Sequence, residues 1–229
     1  MTERDAVDTD WHAVRERVLA LGRSDRRLEV FGAMGHEFRL DEPLTRDDLA
    51  EAEAQWGVTL PADYREFLRI VGAGGAGPFY GLVTLELDGS NWRWQTRPME
   101  VSTDVHRLAA PFPGPIEPER LRQALTSEPD QDSFDDEEAF DAAYEAWRAT
   151  FEGWYYSDDH TVGAVYLAHQ GCAYYDWLIV SGPLRGQVWT DNRADDGNLY
   201  PSAASFTEWY LRWLDEAEAT LAPAATPRS

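Results

Sequence analysis

His169-Gln170-Gly171-Cys172, Ala173-Tyr174-Tyr175-Asp176-Trp177-Leu178-Ile179-Val180, Ser181-Gly182-Pro183-Leu184-Arg185-Gly186 and Gln187-Val188-Trp189 run on without a break, and the fold is read from them. Aromatic and β-branched residues fill Tyr174 to Val180, and Gly182-Pro183 and Gly186 bracket a short connection that can reverse the chain. The segments Ala173 to Ser181 and Gln187 to Asp191 are therefore expected to pair antiparallel. Tyr175, Trp177 and Ile179 occupy one parity and Tyr174, Leu178 and Val180 the other. Such two-sided apolarity predicts a central strand, covered on both faces, with Cys172, Trp177 and Ile179 buried.

Helical patterns surround this hairpin. Trp11, Val14, Val18 and Leu21 recur at helical spacing from Asp10, with Gly22 as the stop. Thr45 and Asp48 make a short capping box, with Leu44 and Leu49 at the staple positions, for a helix that should end at Gly57. Pro61 suits the first turn of another, whose stripe is Tyr64, Phe67, Leu68 and Val71. Phe79 to Leu87 reads as a strand, and the chain after Asn91-Trp92 as irregular, with prolines at 98, 111, 113, 115 and 118. Glu119 to Leu125 reads as a short helix, Asp136 to Gly153 as an amphipathic helix with an acidic outer face, and Thr161 to His169 as a strand. Ser205 and Glu208 open a closing helix over Phe206 to Leu221. Helices at both ends of a mostly antiparallel sheet make a single α+β domain.

The hairpin's small Gly171-Cys172 opening, its apolar strand, its Gly-containing turn and its short Val188-Trp189 strand resemble the signature of the SUKH superfamily, the Smi/Knr cell-wall regulator family. Leu44-Thr45, the run Leu60-Pro61-Ala62-Asp63-Tyr64-Arg65-Glu66-Phe67-Leu68, the Gly-rich loop Gly72 to Gly77 and the helix start Ser205 to Tyr210 agree in order and spacing. The resemblance implies a SUKH-like domain over residues 1–221, with the family core at about 35–214 and an acidic insertion at about 108–156. Residues 222–229 are then expected to be a disordered tail. It further implies a domain that recognises other proteins. Bacterial members act as immunity proteins that bind and neutralise a cognate polymorphic toxin, often a nuclease or deaminase, while fungal relatives resemble intracellular regulatory scaffolds.

Charge narrows the partner independently. The chain of 229 residues carries 42 acids against 20 bases, for a net charge of −22, and all the bases are arginine. Nucleic acid and anionic membrane would be repelled, whereas a basic protein partner would be attracted. Between Ser127 and His160 twelve acids face Arg148 alone, so half the net charge falls in 34 residues. The candidate interface residues are Asp130, Asp132, Asp135, Asp136, Glu137 and Glu138 in this window. Asp158, Asp159, Asp191, Asp195 and Asp196, near strand ends, form a second group. Ten tryptophans are present, of which Trp92, Trp94 and Trp154 fall in less regular segments and are candidate exposed anchors.

Catalytic readings fail on their own chemistry. Gly72, Gly74 and Gly77 match GxGxxG, but a helix precedes the loop where a nucleotide site needs a strand. His169, Cys172 and His160 fall short of four zinc ligands, and the acids from Asp191 to Asn198 miss the calcium-loop register. No Ser-His-Asp set or differentiated carboxylate pair stands out, so a non-enzymatic binding protein without cofactor or metal is expected. The charged N-terminus (Thr2 to Asp5), the lack of a bilayer-length apolar run and the single cysteine point to the cytoplasm.

Overall fold

The computed structural model describes residues 9–95 and 101–222. The tail expected to be disordered lies outside these residues except for Ala222, as does Pro98. Among the described residues, seven helices accompany a two-stranded and a four-stranded antiparallel sheet.

Helix α1 (Trp11–Ser24) starts where Asp10 accepts a hydrogen bond from Ala13 N at 3.1 Å and continues through Gly22 rather than stopping there. A single turn, α2 (Ala33–His36), follows. Helix α3 (Arg46–Trp56) shows the expected box: Thr45 Oγ1 accepts from Asp48 N, Asp48 accepts from Thr45 N, and Gly57 closes the helix at φ 67°. Helix α4 (Ala62–Ile70) buries Tyr64, Phe67 and Leu68. The closing helix α7 (Phe206–Leu221) packs against α1 and α4 around an aromatic knot. Trp11 lies 5.8 Å from Phe67, Phe206 lies 4.8 Å from Tyr64, and Tyr210 lies 4.8 Å from Phe67. Ser205 caps α7 by accepting from Glu208 N, but Glu208 returns its bond to Ala204 N rather than to the cap residue.

Strands β3 (Ala164–Gly171), β4 (Tyr174–Ile179), β5 (Val188–Asp191) and β6 (Leu199–Ala203) form a meander in that order. The predicted hairpin is present, with Trp177 opposite Trp189 and Leu178 opposite Val188. One face packs on α7. The row Tyr166, Trp177 and Trp189 on the other is covered by the chain between 101 and 116: Leu108, Phe112 and Ile116 are buried, and Phe112 meets Trp189 edge-on at 5.2 Å. Two-sided apolarity thus has two coverings to satisfy it.

Three expectations need correction, and one strand, β6, was not expected. The Phe79 to Leu87 segment is mostly loop, tied by single bridges from Leu82 to Gly75 and Ala168, and its strand is only β1 (Leu85–Asp88). Gly89, at φ 63°, turns it into β2 (Asn91–Trp94), a strand where irregular chain was expected. Strand β6 lies in a stretch to which no element was assigned from sequence; Tyr200, Pro201 and Ser202 hide its period, and Pro201 suits an edge strand. Cys172 is exposed, because it and Ala173 are the two central residues of the β3–β4 turn. Both have positive φ (51° and 60°), as a type I′ hairpin turn requires. The glycines at 72, 74 and 77 serve packing: a Cβ would come within 2.6 Å of Asp41 O, 2.6 Å of Thr84 Cα and 2.0 Å of Leu82 Cδ1.

Candidate protein-binding surface

The acidic window forms an arm. Helix α5 (Pro118–Thr126) begins with proline, which needs no amide partner there, and a short turn at Gln131–Ser133 leads to α6 (Glu137–Tyr155). Asp130 caps the turn by accepting from Asp132 N at 3.2 Å, and Asp136 caps α6 by accepting from Glu138 N at 3.3 Å. Glu137 and Glu138 then fall in the first turn, where the helix dipole favours carboxylates. Local rules therefore account for part of this charge. They leave Glu128, Asp130, Asp132, Asp135, Asp136, Glu137, Glu138 and Asp141 exposed and, among the described residues, without an ion pair; the arm's own pairs are Arg122 with Glu119 and Arg148 with Glu145.

Over its nineteen residues α6 buries only Tyr155. Phe134, Phe140, Tyr144, Trp147 and Phe151 form a half-buried ladder with ring centres 5.2 to 5.9 Å apart. Trp147 Nε1 donates to Ala124 O at 3.1 Å and ties the two helices together. Trp154, also half-buried, carries the Arg120 guanidinium 4.7 Å from its ring centre.

Both stems of the arm are fastened to one loop of the core. Asn198 Oδ1 accepts from Ile116 N at 2.9 Å, and its Nδ2 donates to Ile116 O at 2.8 Å. At the other stem, Arg193 forms a buried bidentate pair with Asp191, 2.9 Å from Nε and 2.7 Å from NH2. Its NH1 donates to the carbonyls of Tyr155 at 2.6 Å and Ser157 at 3.3 Å. A helix C-terminus leaves such carbonyls unpaired, and a cation there also meets the negative end of the dipole. Tyr155 Oη completes the joint by donating to Gly197 O.

Asp191 is thereby corrected: at 4% exposure, and paired with Arg193, it cannot be an interface residue. Trp92 and Trp94 are likewise buried, with Trp56 stacked on Trp94 at 4.5 Å and Trp94 Nε1 donating to Tyr64 Oη at 3.0 Å. The other candidates fall into two exposed groups. Asp130 to Glu138 stand at the tip, while Asp158, Asp159, Asp195 and Asp196 lie near the base, the two ends of α6 being about 27 Å apart at 1.5 Å per residue. Arg107 bridges Asp159 and Asp104, each at 2.5 Å, and holds both carboxyls below their usual range.

Arg193 was not singled out from sequence, and neither the joint made by Asn198 nor the partial exposure of the ladder on its amphipathic helix was foreseen. An arginine between Asp191 and Asp195 in an otherwise acidic turn is the signal that marks the clamp. Asp176 was also passed over within its apolar strand, yet it is 1% exposed and accepts from Thr190 Oγ1 at 2.6 Å, Gln170 Nε2 at 2.9 Å and Trp209 Nε1 at 3.3 Å. Burial pushes its carboxyl up to about 6.

Among the described residues no group of three or more His, Cys, Asp or Glu is placed to hold a metal, and no helix is long and apolar enough to cross a membrane. No curated protein and no solved structure matches the chain. The family model described as SMI1 / KNR4 family (SUKH-1) matches residues 43–212, a span that takes in α3, α4, both sheets, the arm and the start of α7. The chain therefore belongs to the SMI1/KNR4 family (SUKH-1).

Proposed function

We propose that this protein is a non-catalytic immunity protein that binds a basic partner, a cognate toxin domain, and occludes it. The observation that carries this reading is the arm: an aromatic ladder left half-buried on a segment rich in exposed carboxylates without ion pairs and fastened to the core at both stems. Like charges steer an oppositely charged partner from a distance, and aromatic anchors then supply the short-range attraction. A cleft evolved for nucleic acid presents the complementary cations. The tip and base groups suit one such partner, since a standard interface of about 800 Å² per side is roughly 30 Å across. Family membership supports the immunity role, and the net charge supports the basic partner.

The test compares the wild type with a variant in which Asp130, Asp132, Asp135, Asp136, Glu137 and Glu138 are replaced by Asn or Gln. Affinity capture from the native host, read by mass spectrometry, should retain a basic protein on the wild type and lose it from the variant. With that protein in hand, association should slow at least tenfold while dissociation changes little, and raising salt from ~50 to ~500 mM should slow the wild type similarly. An association rate indifferent to both would return these carboxylates to a solvating role. Capture of an endogenous, non-toxic partner by the same surface would favour a regulatory scaffold.

A further inference from the structure

A second surface lies away from the arm. Val30, Phe31, Phe79, Trp209, Trp213 and Ala217 line a groove of about 190 Å³ beside α7. About 150 Å³ is enough to hold a benzene ring, so one large side chain fits. Phe31 on the wall is 63% exposed, and Met34, three residues on in α2, is 78% exposed; they are the two most exposed large apolar side chains among the described residues.

The backbone here is held in conformations that side-chain-bearing residues rarely adopt. Leu28, Glu37 and Phe38 have φ of 56°, 48° and 56°, and Phe79 across the groove has 56°. Gly32, at φ 80°, approaches Phe79 so closely that a Cβ would lie 1.7 Å from its carbonyl oxygen. Bulky residues stay in this region only where their surroundings impose it, and such strain gathers at binding sites. The segment that presents Phe31 and Met34 is thus held in shape at a conformational cost.

Charge identifies the occupant. The chain carries −22, yet Arg26 to Arg39 contains three arginines and two glutamates, and the groove's rim adds Arg212 and Glu216. Arg27 pairs with Glu29 at 3.8 Å and Arg39 with Glu37 at 2.6 Å. A basic partner gains nothing from this balanced face. A second copy of so acidic a chain, repelled elsewhere, can approach here. Knob and hole also share one surface, which a two-fold contact requires.

We propose that this face is a self-association surface, with Met34 of each copy entering the other copy's groove against Phe31. Met suits such a contact because its flexible thioether adapts to irregular gaps. Because the net charges of the two copies repel at long range, salt must favour this contact, the opposite of its effect on capture of a basic partner.

Sedimentation velocity across a concentration series tests this. The wild type should dimerise in the micromolar range, with the dissociation constant falling roughly tenfold between ~50 and ~500 mM NaCl. The Phe31→Glu, Met34→Glu variant should remain monomeric, with unchanged far-ultraviolet circular dichroism and urea midpoint, because both side chains are exposed. It should still bind the basic partner, while the six-carboxylate arm variant should still dimerise. A wild type monomeric up to millimolar concentration at high salt, or a dimer surviving the double substitution, would overturn the proposal. So would loss of partner binding in the double variant from a wild type that never dimerises, which would assign the groove to the hetero-interface.

Discussion

The effect on stability of replacing Asp176 by Asn should depend on pH, moving in the variant's favour as pH rises. The carboxyl is buried in the middle of β4, and its three neighbours Thr190, Gln170 and Trp209 all donate to it. They offset burial only in part, so it titrates at about 6 instead of its ordinary 3.8. A carboxyl raised in the folded state favours folding when neutral: this contribution is complete below pH 3.8 and lost as pH rises through 6. The full difference corresponds to about 3 kcal/mol. The Asp176→Asn side chain is neutral at every pH: its Oδ1 retains the bonds from Thr190 and Gln170, but its Nδ2 is a donor and cannot accept from Trp209 Nε1, which costs about 1–3 kcal/mol at every pH. Relative to the wild type the variant should therefore gain about 3 kcal/mol between pH 3 and pH 7.5, most of it between pH 4 and pH 6, set against that constant cost. Urea unfolding followed by tryptophan fluorescence at these pH values measures the gap directly. A difference that stays flat with pH would show that Asp176 is not a desolvated carboxylate in the native state.

The remaining expectations concern the arm's joint and the β3–β4 turn. Arg193→Ala leaves Asp191 buried without its partner and frees the carbonyls of Tyr155 and Ser157, so chemical denaturation should show a loss of about 3–5 kcal/mol. The double variant with Asp191→Ala should lose less, because no stranded charge remains. Cys172, exposed at its turn, should react with a thiol reagent in the native protein about as fast as in urea, the reverse of what its apolar sequence neighbours suggest; strong native protection would put it back in the core. Replacing Cys172-Ala173 by Asn-Gly, the pair that type I′ turns prefer, should raise stability by about 1 kcal/mol, read as a shifted urea midpoint.

What could be read in the sequence was whatever short-range chemistry determines. Thr45, Asp48 and Gly57 announce α3, Ser205 announces α7, and the run from Tyr174 to Val180 announces a central strand, since capping and periodicity act over a few residues. Trp92 and Trp94 were misjudged because their burial depends on Trp56 and Tyr64, some thirty to forty residues away, and periodicity carries no sign of such contacts. Cys172 failed for a similar reason: composition suggested a strand start, whereas the pairing of Gly171 with Tyr174 makes it a turn. In the candidate surface, the concentration of acid was plain. That Asp191 belongs to a buried clamp while Asp195 and Asp196 stay exposed was not, because alternation cannot tell which of three nearby carboxylates an arginine will claim.

Because Ile116 and Tyr155 both end on the loop around Gly197 and Asn198, everything between them is an excursion that leaves and re-enters the core at one address. The core carries its own aromatic knot and its own sheet, so residues along the excursion can diverge without a cost to folding elsewhere. The chain is thus divided into a chassis and a replaceable cassette. Another segment grafted between these two stems should leave the core folded, so the surface presented there can be exchanged while the rest of the chain stays the same.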